Sequence, residues 1–74
     1  MHKLREVTMK FHLALNKAIE LRNTSQTELA GEMLVTKAYI NQLCTGAKIP
    51  SLQKIIHICD ILNFKVSEFI ALGE

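Results

Sequence analysis

Lys37, Ala38, Asn41, Gln42 and Thr45 stand at spacings of one and four residues, so on a helix they share one outward edge. The edge offers an ammonium donor, two carboxamides that both donate and accept, a hydroxyl and a methyl group. Such a set can hydrogen-bond a polar partner, although the same spacing also describes an ordinary solvated helix face. Other chemistry has little to work with. His57 and Cys59 lie two positions apart, which on a helix points them about 200° from one another and prevents them from sharing a metal ion. His2 and His12 read as surface groups. The chain carries no Ser/His/Asp or Cys/His arrangement with workable geometry, no glycine-rich phosphate loop and no paired carboxylates. Neither catalysis nor a metal, a cofactor or a small-molecule ligand is expected.

Size points the same way. The 74 residues, 49% apolar and 22% charged, describe one globular domain over 1–74, with 1–8 either an arm or an extension of the first helix. A chain this short buries only ~60% of its unfolded surface, so an enclosed substrate cleft would compete with the core for the same side chains. No apolar run reaches the ~20 residues of a membrane span, and Met1 to Lys10 is mixed and charged where a signal peptide is apolar. A cytoplasmic protein is expected. Cys44 and Cys59 sit within apolar-periodic stretches, which suits reduced thiols used as small hydrophobes. The net charge of +2 is mild but uneven: residues 1–22 carry five basic and two acidic groups, residues 51–74 two basic and three acidic. Polyanion binding is permitted by this balance without being demanded.

The elements that must position the polar edge follow from periodicity. Apolar residues recur every three or four positions, with one proline and three glycines, so the fold class is all-α: a compact bundle of five helices. Leu4, Val7, Phe11, Ala14, Ala18 and Leu21 keep one face of a first helix ending near Arg22 and Asn23. Thr8 is a possible cap for it. Ser25 followed three residues later by Glu28 is a capping box that opens a second helix at Gln26, running to about Met33. Thr36 caps a third, in which Tyr39, Ile40 and Leu43 form the apolar stripe, and Gly46 ends it. Ser51 caps a fourth, with Leu52, Ile55, Ile56, Cys59 and Leu62 expected inward and Asn63 as a left-handed terminator. Val66 to Leu72 forms the last.

Two helices joined by a short turn at a steep angle need a small residue at their crossing, which Ala30 supplies. They also need apolar residues to fill the angle, which Leu29, Val35, Ile40 and Leu43 supply. On these residues the segment "TSQTELAGEMLVTKAYINQLCTG" resembles the Cro/CI, or lambda-repressor-like, helix-turn-helix family of DNA-binding domains. The following "IPSLQKIIHICDILNFKVSEFI" is similar to its two trailing helices, so the resemblance covers residues 11–72. It implies that the helix from Thr36 enters the major groove of double-stranded DNA, with Lys37, Ala38, Asn41 and Gln42 at base edges. Gln26, Thr36, Tyr39, Thr45 and Lys48 are then placed near the sugar-phosphate backbone, Gln26 also buttressing the first recognition residue. The chemistry agrees: Gln42 can bond adenine N6 and N7, Lys37 can donate to guanine O6 and N7, and the Ala38 methyl can sit on a thymine methyl.

Three positions depart from the family pattern. Leu34 stands where the turn usually has glycine, so a left-handed residue would carry a side chain at a cost of ~1–2 kcal/mol, or the turn takes another shape. Ile19 replaces an arginine late in the first helix, with Arg22 one turn on as a substitute. Lys65 stands where a Ser or Asp cap usually opens the last helix. Ile58, Ile61, Val66, Phe69, Ile70 and Leu72 exceed what one small core readily absorbs and are expected to form a homodimer interface. Leu4, Val7 and Met9 are a second candidate surface. The implied function is a sequence-specific transcriptional regulator of phage or prokaryotic type, a repressor on a near-palindromic operator. The alternative is a protein-interaction module on the same fold, an antirepressor or adaptor.

Overall fold

The computed structural model describes residues 10–74, which form five α-helices and no strand. They are α1 (Phe11–Leu21), α2 (Gln26–Met33), α3 (Lys37–Thr45), α4 (Leu52–Ile61) and α5 (Val66–Leu72). Leu4, Val7, Met9 and the proposed cap at Thr8 lie outside the described residues.

The helix starts follow from side-chain caps. Ser25, Thr36 and Ser51 are each in extended backbone, and each oxygen accepts the amide three residues on, from Glu28, Tyr39 and Lys54 at 3.1, 3.1 and 3.3 Å. The capping box at Ser25 differs from its expected form in one arm, because the Ser25 hydroxyl donates to Glu28 Oε1 at 3.3 Å. Lys65 has no acceptor to offer as a cap, and Glu68 Oε1 instead accepts the Lys65 amide at 2.9 Å, so α5 opens where periodicity placed it.

Three helix ends share one device. After α1, α2 and α4 the backbone turns left-handed at Asn23, Leu34 and Asn63, with φ of 53°, 59° and 60°. In each case the next amide reaches back five residues: Thr24 to Ile19, Val35 to Ala30 and Phe64 to Cys59, at 3.1, 3.0 and 2.9 Å. These bonds satisfy carbonyls that the helix leaves free. Asparagine tolerates the left-handed region, whereas leucine is strained there, so of the two outcomes expected for this turn the left-handed one is found, with Leu34 bearing its strain.

The core comprises Phe11, Ala14, Leu15, Ala18, Leu29, Ala30, Met33, Ile40, Leu43, Cys44, Ile55, Ile58, Cys59, Leu62 and Phe69. Helix α1 packs on α3 and α5, α2 on α3, and α4 on α5. Phe69 stacks obliquely on Phe11 at 5.4 Å between ring centroids and meets Phe64 edge-on at 6.5 Å.

Several expected orientations are corrected. Ile58 and Phe69, expected at a dimer interface, are fully buried within the chain, while Leu52 and Ile56, expected inward, are exposed. The α4 sequence carries two overlapping apolar stripes, and the one through Ile55, Ile58, Cys59 and Leu62 is turned toward the core. Ile61, Val66 and Leu72 are half-buried and packed against that core, and Ile70 is half-buried. Leu21, expected on the inward face, is exposed, and Arg22, the residue that ends α1, is itself exposed but turns its head toward the end of α4. Its guanidinium donates from Nε to the Leu62 carbonyl at 2.7 Å and from Nη2 to the Asn63 carbonyl at 3.0 Å. It also lies 3.9 Å from the centroid of the Phe64 ring.

Candidate nucleic-acid interface

Helix α3 is amphipathic in the way its sequence requires. Ile40, Leu43 and Cys44 are buried beneath it, and Lys37, Ala38, Asn41, Gln42 and Thr45 are exposed along its other side. The crossing with α2 is closed by buried Ala30 and Leu29, with Val35 partly buried in the angle. Both ends of α3 are held. At the start, Thr36 Oγ1 accepts the Tyr39 amide. At the finish, Gly46 takes φ of 85°, a left-handed conformation that removes any strain a side chain would bring.

That finish is tied to α1 by a residue the sequence reasoning passed over. Asn16 Nδ2 donates to the Cys44 carbonyl at 2.8 Å and to the His12 carbonyl at 2.7 Å, bridging the last turn of α3 to the middle of α1. His12 lies against the same corner, its imidazole 3.5 Å from where a Gly46 Cβ would stand. A polar side chain facing a helix C-terminus was the available signal, but only the α1–α3 packing identifies which helix end it meets.

Gln26 and Asn41 join α2 to the exposed edge: Asn41 Nδ2 donates to Gln26 Oε1 at 3.3 Å. The buttress expected for the first recognition residue, Lys37, thus falls one turn further along, on Asn41. Thr45 Oγ1 donates to the Gln42 carbonyl at 3.3 Å and accepts the Ala47 amide at 3.4 Å, so this hydroxyl shapes the loop after α3. Tyr39 is half-buried against the core. Lys48 and Lys54 both approach its ring, their ammonium nitrogens 5.7 and 5.8 Å from the centroid. Lys54 was missed in the sequence because α4 was read only for its apolar stripe, whereas the fold brings its first turn beside Tyr39.

Burial raises the Cys44 and Cys59 thiols above their ordinary range, and both are free. Among the described residues no group of three His, Cys, Asp or Glu side chains could hold a metal, and no helix is long and apolar enough to cross a membrane.

Two short helices crossing at an alanine, the second with its apolar side locked down and its hydrogen-bonding side open, define a helix-turn-helix protein. The family model described as Helix-turn-helix matches residues 15–69, most of the chain. The chain belongs to that family, of the Cro/CI type, and is a DNA-binding transcription regulator. No curated protein and no solved structure matches it.

Proposed function

We propose that this regulator is a repressor that binds a near-palindromic operator as a homodimer and acts by occluding a promoter. In this reading Lys37, Ala38, Asn41 and Gln42 meet base edges in the major groove. Gln26, Thr36, Tyr39, Thr45 and Lys48 lie along the backbone, joined by Lys54. The observation that carries the reading is the exposed polar edge of α3, backed by buried Ile40, Leu43 and Cys44 and braced through the Gln26–Asn41 bond. Asn41, restrained by that bond, would present its carboxamide oxygen to a base donor. Lys48 and Lys54, both near the Tyr39 ring, would supply local positive charge for a phosphate.

The test is selection of bound duplexes from a random pool, followed by a salt titration on the selected sequence. A common half-site motif and an affinity falling steeply with log[salt] are expected, the slope reporting the phosphates neutralised. Absence of saturable duplex binding at low salt would reject the reading in favour of a protein-interaction module. On the selected duplex, Gln42→Ala should relax preference at one base pair, costing ~1–3 kcal/mol there, while Lys48→Ala should weaken all sequences alike. Unchanged preference in the Gln42 variant would remove its assigned role.

A further inference from the structure

Helix α3 packs on α1 and α2, and the two neighbours hold opposite ends of it. Its start is tied to α2, where the Val35 amide donates to the Ala30 carbonyl at 3.0 Å and Thr36 caps the first turn. Its last turn is tied to α1 by a single side chain. Asn16 Nδ2 donates to the Cys44 carbonyl at 2.8 Å and to the His12 carbonyl of its own helix at 2.7 Å. We propose that Asn16 is a positioning residue for base readout, setting the tilt of α3 and with it the depth at which Gln42 meets the groove. The proposal rests on the DNA-reading geometry above and adds to it a residue that acts through α3 rather than by touching a base.

A directional bond matters at this end of the helix. Leu43 and Cys44 are buried beneath it, which fixes how far α3 stands from the core, but contacts between apolar groups are individually weak and non-directional. A hydrogen bond weakens steeply outside about 2.7–3.2 Å and below about 120°, so the Asn16 carboxamide fixes where the Cys44 carbonyl stands over α1. The backbones come close at the same corner. Gly46 leaves α3 with φ of 85°, and a Cβ there would lie 3.5 Å from the His12 ring. The loop beyond moves with the helix end, since the Gln42 carbonyl accepts the Lys48 amide at 3.1 Å and the Thr45 hydroxyl at 3.3 Å.

The tie to α2 is then a pivot, and Asn16 is the stop at the far end. At a rise of ~1.5 Å per residue, Gln42 lies about 7.5 Å along the axis from Lys37, so a tilt of ~10° about the start of α3 shifts Gln42 by ~1.3 Å and Lys37 hardly at all. The Gln26–Asn41 bond, at 3.3 Å between two flexible side chains, follows such a tilt rather than opposing it. The distance window of a good hydrogen bond is only about 0.5 Å wide. Loss of Asn16 therefore costs the adenine contact of Gln42, while the contacts of Lys37 and Ala38 survive.

The experiment measures base preference, position by position along the selected duplex, for the wild type, Asn16→Ala, Gln42→Ala, the double variant and Arg22→Ala. Preference is a ratio of affinities, so a partly unfolded variant loses affinity for every duplex alike and keeps its ratios. Asn16→Ala should relax preference about fivefold or more at the base pair that Gln42→Ala identifies, and leave the pairs read by Lys37 and Ala38 as in the wild type. The double variant should lose no more preference than Gln42→Ala alone, because both changes act on one contact. Arg22→Ala, whose bonds serve the end of α4, should keep the whole profile and so separates lost positioning from lost stability. The proposal is overturned by a wild-type profile in Asn16→Ala, by relaxation spread over every position, by losses that add in the double variant, or by the same relaxation in Arg22→Ala. A wild type that selects no motif, or a Gln42 variant that keeps every preference, would remove the contact being positioned, and the DNA-reading geometry would fall together with the proposal.

Discussion

At the residue scale the informative position is Leu34, a leucine with φ of 59° whose side chain is 91% exposed. It bears the strain of a left-handed residue and packs almost nothing in return. Leu34→Gly should therefore raise stability by about 1 kcal/mol, visible as a higher urea midpoint at constant m. A lower midpoint would mean that the side chain has a packing role. The two buried thiols make a prediction of opposite kind. Burial disfavours the thiolate, so the unfolded chain loses these protons first and the folded chain binds more protons at alkaline pH. Their contribution is fully present below the ordinary thiol pKa of about 8.5 and is lost as pH rises above it. Stability measured between pH 7 and 10 should fall less steeply in a Cys44→Ala/Cys59→Ala double variant than in the wild type.

Elements are held here by side chains that reach to helix ends. Arg22 leaves α1 to satisfy the Leu62 and Asn63 carbonyls after α4 and to cover Phe64, serving the helix end that α5 hangs from. Arg22→Ala should cost about 2 kcal/mol in chemical unfolding. Arg22→Lys should recover only part, because an ammonium lacks the planar fork that reaches both carbonyls. Asn16 performs the equivalent service for α3. Asn16→Ala removes its bond to Cys44 and should cost about 1 kcal/mol, with faster hydrogen exchange at the Ala47 and Lys48 amides that close the loop after α3. Helix starts were legible in the sequence because a cap is a local event: Ser25, Thr36 and Ser51 each bond an amide three residues away. The reaches of Arg22 and Asn16 span 40 and 28 residues, and no local pattern announces them.

At the scale of the molecule, the described chain has one core, and the apparent surplus of apolar residues was the hardest feature to allocate in advance. Counting them suggested that α4 and α5 must donate a face to a partner, and part of that count was absorbed internally by Phe69 stacking on Phe11 and by Ile58 turning inward. Of the rest, Ile61, Val66, Ile70 and Leu72 are half-buried, while Leu52 and Ile56, expected inward, are exposed. A close approach at the other end shows how tightly the chain is drawn together: a Cβ on Gly73 would stand 2.9 Å from the Lys10 carbonyl oxygen. Gly73→Ala should therefore shift backbone where α5 meets the start of α1 and lower the unfolding midpoint, even though Gly73 has φ of −85° and carries no left-handed strain. An unchanged midpoint would mean that the junction yields freely.

The sequence alone determined the all-α class, the order of the helices and the starts of the last four, the helix-turn-helix crossing at Ala30 and the outward edge of α3. Each depends on spacing within one or two turns, where the 3.6-residue repeat and side-chain caps operate. Tertiary structure decided which of two overlapping stripes on α4 faces inward, that Gln26 braces Asn41, that Lys54 joins Lys48 beside Tyr39, and which carbonyls Arg22 and Asn16 satisfy. Those outcomes depend on how helices far apart in the chain lie against one another, and periodicity, which gives each helix a face, does not say what that face will meet.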